Sequence, residues 1–186
     1  MRFLPIVLVC AFTASARADF GIGASVGTED ATILFPIRLS SVIVEPSLGY
    51  YDRDIEPRAV SAEGRSIGVG VFGLSTAGDN LSIYYGARLA DLSDESSSAL
   101  LDPFTALPVG QTRTEVDGYL VAPTVGFQYA ISRVVIGAEI GWEYRDVDQE
   151  GSTTITNGGV TLPLSTTRSS TVARGTHATI VFRYFF

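Results

Sequence analysis

Apolar residues in this chain recur at every second position more often than in runs or at helical spacing. Alternation of that kind gives an extended strand one apolar and one polar face. Eight such segments can be marked. Residues 19–28 set Phe20, Ile22, Ala24 and Val26 against Gly21, Gly23, Ser25 and Gly27. Residues 31–39 set Ile33, Phe35, Ile37 and Leu39 against Thr32, Leu34, Pro36 and Arg38. In residues 42–52, Val44, Pro46, Leu48 and Tyr50 oppose Glu45, Ser47, Gly49 and Tyr51. Residues 65–75 carry Ile67, Val69 and Val71 against Ser66, Gly68 and Gly70, with Phe72 and Leu74 falling on the otherwise small, polar face. Residues 81–90 and 118–130 repeat the pattern, and residues 134–147 show it most clearly: Val134, Ile136, Ala138, Ile140, Trp142 and Tyr144 oppose Gly137, Glu139, Gly141, Glu143 and Arg145. The eighth segment begins near residue 173 and ends the chain.

The connectors sort by length. Those at 40–41, 76–80 and 131–133 are short, and those at 53–64, 91–117 and about 148–172 are long and polar, although the first hairpin, around Glu29 and Asp30, is short as well. An even number of strands with short turns on one side and long loops on the other predicts an all-β fold, an eight-stranded antiparallel up-and-down transmembrane β-barrel with both ends of the barrel domain on the short-turn side. A water-soluble barrel would reverse the polarity, whereas here small and charged residues share the face that closes inward. The aromatics agree. Phe20, Tyr129, Tyr184 and Phe186 gather toward the short turns and Tyr50, Tyr119, Trp142 and Tyr144 toward the long loops, as two interfacial belts would; Phe35 and Tyr85 sit nearer mid-strand.

Residues 1–18 read as a secretory signal peptide: Met1 and Arg2, an apolar run from 3 to 12, and Ala16-Arg17-Ala18 as a cleavage site. The run is too short to span a bilayer. The barrel domain is then residues 19–186. Val9 precedes Cys10 where lipidation requires a small residue, so no lipid anchor is expected. Removing the signal removes the single cysteine, which excludes disulfides and thiolate metal sites. All 13 basic residues are Arg; without Arg2 and Arg17 the balance is 11 basic against 20 acidic, about −9. Such a chain is a poor partner for nucleic acid.

The last nine residues, A-T-I-V-F-R-Y-F-F, place Ile180, Phe182, Tyr184 and Phe186 on one face. This ending resembles the C-terminal strand of bacterial outer-membrane barrels. Together with the signal and the alternating segments, it makes the chain similar to the small eight-stranded outer-membrane barrels of the OmpA/OmpX class, often grouped as porin-family proteins. The resemblance implies a monomer in the outer membrane of a Gram-negative cell, with periplasmic ends and extracellular loops, surrounded by lipid and lipopolysaccharide. It also implies that Phe182, Tyr184 and Phe186 are read by the barrel assembly machinery. It leaves activity open, because members range from structural proteins and adhesins to lipid-modifying enzymes.

An eight-stranded barrel is just wide enough for its own side chains. Arg38, Arg88, Arg145 and Arg183 against Glu45, Glu139 and Glu143 are expected to form a lumen ion-pair network, with Gln128, Tyr84 and His177 beside it. A narrow gated pore is the alternative. His177 and Thr179 have the spacing of the H-x-S of lipid A deacylases, but with threonine for serine and on the inward face, so no enzymatic activity and no cofactor are expected. Within residues 91–117, Leu100, Leu101, Phe104 and Leu107 form an apolar patch, read either as a contact surface for a host or neighbouring protein or as a segment that folds back onto the barrel mouth or touches lipid. The function expected is a structural or surface-interaction role through the loops. A small porin is the second reading.

Overall fold

A computed structural model of the protein describes residues 18–27, 31–55, 60–101, 108–157 and 160–186. Residues 1–17 of the expected signal peptide lie outside them, and Ala18 is the first residue of the first strand. In chain order the strands are β1 (Ala18–Val26), β2 (Ala31–Leu34), β3 (Ile37–Leu39), β4 (Val42–Ile55), β5 (Val60–Thr76), β6 (Leu81–Leu101), β7 (Pro108–Ile131), β8 (Val134–Asn157) and β9 (Val160–Phe185). β2 and β3 occupy a single place in the ring. Both pair with β1 and with β4 in one continuous register, and the ladder is broken only at Phe35 and Pro36, where proline has no N–H to donate. Gly21 N–H still reaches Pro36 O at 2.9 Å, and Phe35 N–H reaches Pro46 O at 2.9 Å.

With β2 and β3 counted as one position, each position in the ring pairs antiparallel with the next, and β1 pairs with β9 to close the sheet. The stagger of the closure can be followed residue by residue. From Tyr50 the ladder runs forward through Arg65, Ser93, Asp117 and Asp148 to Ser170 on β9. Backward from Tyr50 it runs through Ala31 and Val26 to Ile180, also on β9, ten residues further along. An offset of ten residues around eight strand positions corresponds to a strand tilt of about 40°. Two of the tight turns place Ser40 (φ 55°) and Ser132 (φ 57°) in the left-handed backbone that two-residue hairpins use.

Polarity is distributed inside out. Glu45, Glu139, Arg183, Gln128 and Thr124 are buried in the ring together with Phe72 and Tyr84, while Phe20, Tyr50, Ile67, Tyr85, Phe127, Ile140 and Phe186 are exposed on its outer wall. Phe72 and Leu74 point inward, so the small-residue face of the fourth expected strand does carry two large apolar groups, packed with Ile43 and Tyr84.

One expectation is corrected. The connectors at 53–64, 91–117 and 148–172 are strand over most of their length. β4 and β5 pair as far as Ile55 and Val60, β6 and β7 as far as Leu101 and Pro108, and β8 and β9 as far as Asn157 and Val160. With 21 to 26 residues each, β6 to β9 are about twice the length a bilayer requires. Their upper halves form a sheet that stands beyond the apolar wall. The physical reason is β-branched and hydroxyl content: Thr112, Thr114, Thr153 and Thr167 favour a pleated surface without being apolar.

Candidate functional site in the lumen

Alternation aims one side chain in two at the ring axis, and the tilt brings residues from distant strands to a common depth. At mid-depth these are Glu45 from β4, Arg88 and Tyr84 from β6, Glu139 from β8, and Thr179 and Arg183 from β9. Arg183 donates to Glu45 through Nε at 2.5 Å and Nη2 at 3.3 Å, and through Nη1 to Gln128 Oε1 at 3.2 Å. Arg88 reaches Glu45 Oε1 at 2.8 Å with Nη1, and Glu139 with Nε and Nη2 at 3.2 and 3.0 Å. Tyr84 Oη and Thr179 Oγ1 each donate to Glu139 at 3.0 Å. The two arginines and two glutamates therefore share a charge-balanced lattice that links β4, β6, β8 and β9 across the lumen. The side chains of Arg183 and Glu45 are wholly buried, and Arg88 is 15% exposed. Such charges persist away from water only because each has opposite charge and hydrogen bonds around it.

Aromatic rings complete the filling. The Arg88 guanidinium lies 4.9 Å from the Phe72 ring centre, and Arg183 lies 5.1 Å from that of Tyr84. Phe72 and Tyr84 meet edge to face at 5.5 Å. Gly126 provides the room, since a Cβ there would lie 2.5 Å from Tyr84 Cζ and 2.7 Å from Ala138 O.

The other expected members of the network stand apart from this lattice. Near the short turns, Arg38 pairs with Asp19 at 2.7 Å and lies 4.5 Å from the ring centre of Phe185. Toward the protruding sheet, Arg145 pairs with Glu143 at 2.7 Å, and His177 Nδ1 lies 3.3 Å from Glu143 Oε1 without forming a hydrogen bond. The seven residues thus form three clusters stacked along the axis. Asp19 was absent from the expected set, although its parity with Gly21 and Gly23 points it inward. Thr179, on the inward face, is engaged by Glu139 and not by His177. Among the described residues no group of metal-ligating side chains is found.

On the outer wall, Phe182, Tyr184 and Phe186 share the face of β9 opposite Arg183, with Tyr184 and Phe186 edge to face at 5.6 Å. Of the apolar patch, Leu100 is half-buried near the end of β6, beside an irregularity in the β6–β7 register. The Leu101 side chain, Phe104 and Leu107 lie outside the described residues.

No protein-family description matches the chain, and no curated protein sequence does. Among solved structures, the chain is similar to a major outer membrane protein from Thermus thermophilus, at 12% identity over 91% of this chain and 99% of that one, with a TM-score of 0.56. At that identity the likeness is one of fold. The fold is all-β, an antiparallel up-and-down sheet closed into a ring, as in that outer-membrane barrel.

Proposed function

We propose that the protein is an integral outer-membrane β-barrel with a closed lumen, serving as an anchor for the sheet that stands beyond its wall, in a structural or surface-contact role. The observation that carries this reading is the lattice of Glu45, Arg88, Glu139 and Arg183. Together with Tyr84 and Phe72 it occupies the middle of the ring, which supports a closed lumen. The apolar outer wall supports the membrane setting, because water disfavours so much exposed apolar surface and hydrocarbon does not.

In this reading the short turns and the β1–β9 seam lie on the periplasmic side and the protruding hairpins are extracellular. Phe182, Tyr184 and Phe186 guide insertion by the assembly machinery. The surrounding partners are outer-membrane lipids and lipopolysaccharide, and any host or neighbouring-cell partner meets the protruding sheet. The barrel works as a monomer, without a cofactor and without a catalytic step. The purified protein in a planar bilayer is expected to pass little or no steady current. Large, stable, reproducible channels would replace this reading with that of a small porin. An epitope inserted after Gly158 should be accessible on intact cells; accessibility only after outer-membrane permeabilisation would invert the topology.

A further inference from the structure

Six of the arginines with described side chains are neutralised by carboxylates of the protein. Arg38 pairs with Asp19, Arg88 with Glu45 and Glu139, Arg113 with Glu95 and Glu115, Arg145 with Glu143, Arg168 with Glu150, and Arg183 with Glu45. Among the described residues, Arg65, Arg133 and Arg174 have no such partner. Their positions are not scattered. Arg133 lies in the tight turn after β7, at one rim of the apolar wall. Arg65 and Arg174 lie at the other rim, beside the outer aromatics: Arg65 is the cross-strand partner of Tyr50, and Arg174 sits 6.0 Å from the Tyr144 ring centre.

Arg65 is distinguished by its surroundings. It lines an open surface pocket of about 350 Å³ with Tyr50, Glu63, Gly64, Ser93, Asp94 and Glu95. Glu95 is held by Arg113 at 2.7 Å, whereas Glu63 has no ion partner among the described residues. Glu63 and Arg65 are two apart on β5 and share its outer face, so they lie about 7 Å apart along the strand and about 5 Å apart along the barrel axis. The carboxylate is the one farther from the apolar wall. Directly toward that wall, Ile67, Leu48 and Leu89 are exposed.

We propose that this pocket binds the phosphoethanolamine headgroup of a lipid, with Arg65 taking the phosphate, Glu63 the ammonium, and the acyl chains running over Ile67, Leu48 and Leu89. The proposal rests on the membrane reading above. Cation below and anion above is the complement of such a headgroup, which presents its phosphate below and its ammonium above at a bilayer surface, and their spacing is one that an ethylene bridge can span. A headgroup with phosphate alone would meet the Glu63 carboxylate unfavourably. Choline carries its charge without an N–H to donate. Phosphoethanolamine occurs both on glycerophospholipid and as a decoration of lipid A, and the two share the recognised chemistry.

The test uses the full chain refolded in non-ionic detergent and native mass spectrometry with equimolar phosphatidylethanolamine, phosphatidylglycerol and phosphatidylcholine. One phosphatidylethanolamine should be retained with a preference of about tenfold, the worth of one charge-assisted hydrogen bond. Arg65→Gln should abolish retention of every phospholipid, and Glu63→Gln should remove the preference for ethanolamine over glycerol while leaving binding. Arg168→Gln, at a paired arginine of the protruding sheet, should change nothing. Equal retention of the three lipids by the unaltered protein, or an Arg65→Gln variant that still selects ethanolamine, would overturn the proposal. A second arm with lipid A, bare or phosphoethanolamine-decorated, identifies the source by which carrier is retained; retention of neither carrier overturns the assignment. Failure of the membrane reading would look different: the unaltered chain would show no heat-modifiable mobility and would not enter vesicles, and the headgroup assignment would fall with it.

Discussion

Arginine–glutamate pairs occur in two places in this molecule, and they do different things there. In the lumen, Arg183 and Glu45 have no side-chain exposure and each serves a second partner. On the protruding sheet, Arg168 and Glu150 meet at a similar distance, 2.8 Å, with side chains 79% and 47% exposed. Distance alone would rank the two pairs as nearly equal. Solvent separates them. The exposed pair gives up little hydration and gains little, whereas the buried lattice has no water to replace a lost partner. The lattice inside the ring is therefore held by interdependence, and the sheet above it by backbone ladders that need no particular side chain.

The contrast can be broken most forcefully at its centre. Glu45→Ala leaves both Arg88 and Arg183 short of a carboxylate and should destabilise the folded barrel by about 3–5 kcal/mol, read as the loss of heat-modifiable protein in a urea series. The charge-balanced double variant Glu45→Met/Arg183→Met keeps the Arg88–Glu139 pair and should recover most of that loss. If the double variant is as unstable as the single one, interdependence of charge is the wrong explanation. Next comes the outer wall: Phe182→Asp with Tyr184→Asp should prevent insertion while leaving export across the inner membrane intact, measured as folded protein in outer-membrane fractions.

Tyr84→Phe removes one of several donors to Glu139 and should cost about 1 kcal/mol. Thr179→Ala removes another, with a similar small effect on unfolding and none on assembly. At the far end of the scale, Glu150→Ala should leave stability within about 0.5 kcal/mol of the starting protein, and less in high salt. A loss comparable to that of Glu45→Ala would erase the distinction between the two regions.

How much of this was legible in the sequence follows from the same contrast. Along the apolar wall, one side of each strand is apolar and the other small or polar, so the period-two signal is strong, and Ile136, Ile140 and Trp142 against Gly137, Glu139 and Gly141 assign inside and outside without ambiguity. Beyond the wall both faces are polar and the signal loses its amplitude. There a row of Glu95, Glu115, Glu150 and Arg168 backs a row of Ser96, Thr114, Gly151 and Thr167, and hydrophobicity alone reads this stretch as loop. The membership of the lumen clusters was illegible for another reason. Alternation says that Arg38, Arg88 and Arg183 point inward, but their depth depends on the ten-residue stagger of the ring, which is a property of the closed sheet and of no single strand. Hence Arg38 meets Asp19, and Arg88 meets Glu45 and Glu139.

The seam between β1 and β9 also sets an order of events. Gly21 pairs with Phe185, 164 residues along the chain, and the shared ladder extends only to Val26 and Ile180. Every other pairing joins neighbours in sequence and can begin as soon as two strands exist. This one waits for the last, and until then the growing sheet has two raw margins whose amides lack a partner strand. The ring is thus a clasp that the chain can fasten only after its final strand has arrived.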